Sequence, residues 1–177
     1  GKTATNTLFF EQTLGWTGVL IEANLANFKQ LVARRGGNSQ NRLFNEVVCE
    51  YPKQVQFAGT SGVGGMLESM SELHQSQYSK SVATTSVAHC RRLDNILESV
   101  NTTVIDLWSL DVEGAELQVL QSIDFRRVAV HVIIIERNHH DREIEQVLLK
   151  AGFMYLREQR GNRLWVNDSW YKQRRVD

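Results

Sequence analysis

Three short apolar runs in this chain end on an acid, and that pattern narrows the folds open to it. They are "GVLIEAN" (18–24), "TVIDLWSLDVEG" (103–114) and "VAVHVIIIE" (128–136). Each is dense in apolar residues without strict alternation, as in a strand buried on both faces. A helical pattern follows each: Leu25, Phe28, Leu31 and Val32 after the first, Ala115 to Ile123 after the second, and Ile144, Val147, Leu148 and Ala151 after the third. Strands alternating with helices predict an α/β fold, a mostly parallel sheet covered on both faces. In such sheets ligands bind beyond the carboxyl ends of the strands. Glu22, Asp111 with Glu113, and Glu136 stand at those ends.

Acids at such seams cost solvation energy unless they gain hydrogen bonds or a ligand. Glu22, followed by Ala23-Asn24 and a helix, is placed either to accept the hydroxyls of a ribose or to favour the helix dipole. Asp111 and Glu113 alternate along the strand end, and Gly114 lets the backbone turn sharply. Capping of the following helix explains one of these acids comfortably and two less well. Glu116 reads as first-turn charge. After Glu136 comes "RNHHD" (137–141), where His139 and His140 are either bases near neutral pH or members of a surface loop. Adjacent side chains rarely share one ion, so no metal site is expected there. His74, His89 and His131 stand in no recognisable constellation.

The remaining chain fits one soluble domain over residues 1–177. Twenty basic and twenty acidic residues cancel, so no overall field favours nucleic acid or an anionic membrane. No apolar run reaches the ~20 residues of a membrane helix, and no signal-peptide pattern opens the chain. Cys49 and Cys90 are too few for a disulfide framework and fit no metal spacing, so two buried thiols are expected. So few cysteines point to a reducing, cytoplasmic setting. Residues 3–14 read as a helix closed by Gly15, weaker strands lie near 43–48 and 55–57, and Leu93, Ile96, Leu97 and Val100 mark another helix face. "FMYLRE" and "RLWVN" around "QRGN" predict a closing antiparallel hairpin, and the tail "YKQRR" reads as a solvated end. Residues 58–86 are rich in Gly and Ser with little periodicity, the pattern of a functional lid or a disordered insertion.

These segments resemble the FkbM family of S-adenosylmethionine-dependent methyltransferases. The acidic turn within "IDLWSLDVEGAELQVLQSI" (105–123) carries most of the resemblance. "GWTGVLIEANLANFKQL" (15–31), "RRLDNIL" (91–97), "LLKAGF" (148–153) and the opening "GKTATNTLFFEQ" are similar to further family segments. The resemblance implies a Rossmann-like class I methyltransferase sheet, S-adenosylmethionine as cofactor, and O-methylation of a hydroxyl on a sugar, glycan or small metabolite. It places Glu22 on the cofactor's ribose, Asn45 or Glu46 near the adenine, and Gly1, Thr5 and Asn6 near the cofactor's carboxylate end. Asp111 and Glu113 would face the methionine end and the acceptor. Asp111 is then the expected base, His139 or His140 the reserve, and Glu113 the group that orients the acceptor or binds a metal. The family's first strand and most of its glycine-rich loop would precede Gly1, which makes this domain N-terminally incomplete. Two alternatives stay open: a binding or trafficking domain that kept the scaffold without the chemistry, and a nucleotide-sugar or dinucleotide enzyme on the same sheet.

Overall fold

The computed structural model describes residues 7–58, 65–66 and 85–174. Helix α1 (Leu8–Leu14) ends at Gly15, whose φ of +68° supplies the left-handed cap that stops it. Strand β1 (Val19–Ile21) pairs in parallel with β2 (Arg42–Phe44), joined through helix α2 (Leu25–Arg35). Asn24 starts α2, its side chain accepting the amides of Ala26 and Asn27. Among the described residues its sheet has two strands, and no residue of α2 is buried; Leu25 and Val32, on the predicted apolar face, stay exposed.

Strands β7 (Val104–Leu110) and β8 (Ala129–Glu136) run parallel, and β10 (Asn162–Asn167) joins them antiparallel beside β9 (Phe153–Gln159), in the order β7-β8-β10-β9. The β9–β10 hairpin turns at Arg160 and Gly161, φ +53° and +78°. Two left-handed residues in succession give the strand-matching twist of a tight hairpin, as "QRGN" predicts. Helix α4 (Glu116–Gln121) links β7 to β8, and α5 (Asp141–Lys150) links β8 to β9. Ile144 and Leu148 of α5 are buried in the main core with Ile133, Ile135, Phe153 and Trp165, while Val147 and Ala151 pack against it, the face that their spacing predicts. Val19 and Ile21 of β1 lean on the same core as Ile105 and Trp108 of β7. Among the described strands, however, β1 pairs only with β2 and β7 only with β8.

A third sheet was less visible in the sequence. Its order is β3 (Val47–Val48), β6 (Thr85–Arg91), β4 (Gln54–Ala58), β5 (Gly65–Met66), with β3–β6 parallel and the other two pairs antiparallel. Among the described strands the architecture is therefore mixed α/β, with parallel and antiparallel pairs together, because β4 and β10 each sit between antiparallel neighbours. Most of the predicted lid or insertion at 58–86 lies outside the described residues.

One further expectation is corrected. Cys49 and Cys90 are not thiols: they form a disulfide with Cα atoms 5.7 Å apart, inside the ordinary bonded range. The parallel pairing of Val47 with Cys90 brings the two segments together two residues before Cys49. The tail is solvated at Lys172, Gln173 and Arg174, and helix α6 (Asp168–Gln173) occupies its first part, with Asn167 capping the Trp170 amide. Trp170 stacks on His131 at 4.8 Å, and Arg174 covers the Trp170 ring. Helix α3 (Leu93–Ser99) buries Leu93, Ile96 and Leu97 as predicted. No helix among the described residues is long and apolar enough to cross a membrane.

Candidate functional site

Strand β7 ends in the core at Leu110, and the next six residues reverse the chain into α4. Asp111 emerges to solvent, Glu113 and Gly114 take φ of +54° and +102°, and Glu116 returns to full burial at 0% exposure. Glycine tolerates that backbone; for Glu113 it costs about 1 kcal/mol or more. The carboxylate of Glu116 holds the turn in this shape. It accepts the Val112 amide at 2.9 Å on one oxygen and the Gly114 amide at 3.1 Å on the other, and the Asn138 side-chain amide donates to it as well. Glu116 is thus a buried clasp, and its reading as simple first-turn charge is corrected.

Asn138 belongs to the loop after β8, so the same clasp ties two neighbouring strand ends together. The Asn138 side-chain oxygen accepts the His140 backbone amide at 2.7 Å, and the Asn138 backbone N–H donates to the Asp141 carboxylate at 3.1 Å. Arg137 and Arg163 both pair with Asp141, and both also reach Glu158, fastening this loop to the β9–β10 hairpin. His139 projects outward with its ring 4.1 Å from that of His140.

Glu136, at the end of β8, faces this turn. Oxygens of Asp111, Glu116 and Glu136 lie within 4.8 Å of one another. Burial pushes the Glu136 carboxyl up to about 7, helped by the charge of Asp111, a hydrogen bond with it, and the charges of Glu113 and Glu116. Such spacing suits a shared proton or a divalent cation.

Glu22 closes β1. One of its oxygens accepts the Asn24 amide at 2.8 Å, and burial raises its pKa against the pull of that bond and of Asn27. Asn45 donates to the Glu22 and Ala23 carbonyls at 2.8 and 3.1 Å, which locks the end of β2 to the end of β1. Glu46 pairs with Arg91 at 3.0 Å. The two acid-bearing rims meet on one small buried cluster: Ala23, beside Glu22, and Val112, within the acidic turn, both pack against Val47, Cys49, Val55, Cys90 and Ala115. Glu22 and Asp111 are thus each one residue from a side chain packed on that cluster.

The structure ties Asn45 to the Glu22 and Ala23 carbonyls, pairs Glu46 with Arg91, and gathers Asp111 with Glu116 and Glu136; Gly1, Thr5 and Asn6 lie outside the described residues. His139 joins the site only through its loop. Sequence reasoning missed Glu116 and Asn138 as holders of the turn, and gave Glu136 no chemical role. The available signal was the third acid of the "DVEGAE" stretch, five residues after Asp111. A cavity of about 280 Å³ beside His131, Phe153 and Trp170 lies by the start of β8, away from the carboxylates at its end.

No curated protein and no solved structure matches the chain. A family profile described as "Methyltransferase FkbM domain" matches residues 1–164, which includes every acid of the site. With nearly the whole sequence covered, the chain belongs to the FkbM methyltransferase family.

Proposed function

We propose that the domain binds S-adenosylmethionine along the rim from Glu22 to Asp111 and methylates a hydroxyl oxygen of a sugar or small metabolite. The observation behind this reading is the convergence of the Asp111 and Glu136 carboxylates at the ends of β7 and β8, with Ala23, next to Glu22, packed on the same small cluster as Val112 of the acidic turn. The donor set suits the cofactor: a carboxylate at the end of β1 accepts ribose hydroxyls, and a cluster of acids attracts a sulfonium. When bound, the cofactor supplies an electrophilic methyl group. Asp111 would take the proton of an acceptor hydroxyl held against that methyl group. Glu113 orients the acceptor, Glu116 and Asn138 keep both loops in register, and His139 stands in reserve as a base.

Calorimetry with S-adenosylmethionine on the full-length protein tests the reading. Glu22→Ala should weaken binding about tenfold or more, the loss of one charged hydrogen-bonding group. Affinity for the sulfonium should rise up to about tenfold from pH 6 to pH 8 as Glu136 ionises through about 7. The neutral product S-adenosylhomocysteine should show a smaller change. Stability moves oppositely, since a carboxyl raised above its usual 4.5 stabilises the fold most below 4.5 and loses that contribution as pH rises through about 7. Absence of heat with cofactor in the full-length protein would end the enzyme reading.

The Cys49–Cys90 disulfide favours one alternative, a binding or trafficking domain that retains the scaffold without the chemistry. Disulfides persist in oxidising compartments and are rare in the cytosol, contrary to the setting expected from the small number of cysteines. Under this alternative Glu22→Ala leaves partner binding unchanged.

A further inference from the structure

We propose that the Cys49–Cys90 disulfide is a positioning element of the candidate site, setting the spacing between the Glu22 rim and the acidic turn. This inference rests on the cofactor reading for its functional consequence and on packing alone for its structural one. Both sulfur-bearing residues are buried, at 0% and 2% exposure, in the middle of the small cluster formed with Val47, Val55 and Ala115. Ala23 and Val112 press on that cluster from the two acid-bearing segments. Ala115 follows Gly114 directly, so three of the residues touching one another here are within two positions of Glu22 or Glu113.

The crosslink is also the centre of a three-point clamp. Cys90 is bonded to Cys49, Arg91 pairs with Glu46 at 3.0 Å, and Arg92 donates to the Glu50 carbonyl at 2.6 Å. Three successive residues of β6 and its exit thus grip residues 46 to 50 by a covalent bond, an ion pair and a hydrogen bond. Arg92 also reaches the Gln121 carbonyl at 3.4 Å, at the far end of the helix that Glu116 begins. Cys49 and Cys90 are 41 positions apart, so the bond also closes the base of the segment that carries β4 and β5. A disulfide remote from the site would leave rim geometry unchanged when removed; this one forms the floor under both rims.

The test compares oxidised wild type with Cys49→Ala/Cys90→Ala and with the better-filled Cys49→Val/Cys90→Ala, well below their thermal transitions. Val128→Ala, in the other core cluster, serves as a destabilised control. Hydrogen exchange should accelerate at least about tenfold at the amides of Asn24, Val112, Gly114 and Ala115 in the disulfide variants. Exchange in β8 and β10 should accelerate only as far as the loss of global stability requires, and the control should leave the rim unaltered. S-adenosylmethionine affinity should fall at least about tenfold in the same variants. Rim exchange no faster than the loss of global stability alone requires, or an unaltered rim, overturns the proposal. If wild type binds no cofactor, the methyltransferase reading fails and the exchange measurement still decides the brace. If neither variant folds, wild type reduced by a dithiol while unfolded and then refolded gives the same comparison.

Discussion

Glu116→Ala should cost the domain about 3 kcal/mol, because three donors lose a buried acceptor at once. The Val112 and Gly114 amides and the Asn138 side chain all point at this one carboxylate. An orphaned buried donor costs about 1–3 kcal/mol, and partial entry of water limits the sum. For a domain of this size the thermal midpoint should drop by about 6–12 °C. Glu113 has no local reason to keep a left-handed φ of +54° once the clasp is gone, so the acidic turn should relax as well. Glu116→Gln keeps the shape and one acceptor but turns a second donor towards Asn138. Adding Asn138→Asp restores a donor–acceptor pair with reversed polarity and should recover at least half of the Glu116→Gln loss. A midpoint unchanged in Glu116→Ala would mean that water substitutes freely and that the clasp has no structural weight.

Removing the disulfide is the second large effect. A crosslink between residues 41 positions apart lowers the entropy of the unfolded chain by a free-energy equivalent of about 4 kcal/mol. Cys49→Ala/Cys90→Ala should therefore melt about 8–16 °C below oxidised wild type, with a small added loss from the emptied sulfur volume in a cluster of only five buried residues. Denaturant unfolding checks the cause: the oxidised protein should show the smaller m-value, since its unfolded state stays more compact. Equal midpoints for oxidised and crosslink-free protein would show that the unfolded chain gains nothing from the cut.

Local pattern carried much of this structure. The runs ending at Glu22, Asp111 and Glu136 became strands, and Asp111 meets Glu136 because the parallel pairing of β7 with β8 places their carboxyl ends side by side. The spacing of Ile144, Val147, Leu148 and Ala151 found the face of α5, and the turn residues Arg160 and Gly161 fixed the hairpin. What stayed hidden depends on contacts distant in sequence. Cys49 meets Cys90 only because β3 pairs with β6, a pairing with weak local signal on either side. Glu116 looks like any first-turn acid until its reach back to Val112 and across to Asn138 is seen. His131 looked isolated, yet it meets Asp106 at 3.1 Å on β7 and stacks on Trp170 in α6, two partners at separate points of the chain.

The central claim is that the carboxyl ends of β1, β7 and β8 form one cofactor-binding rim. Its most direct measurement is an amide NMR titration of the full-length protein with S-adenosylmethionine up to about 1 mM, the upper end of ordinary enzyme requirements. The account predicts shifts concentrated at Glu22–Asn24 and Asp111–Gly114, with the β9–β10 hairpin silent. Shifts gathered instead around His131 and Trp170, or none anywhere, would contradict it.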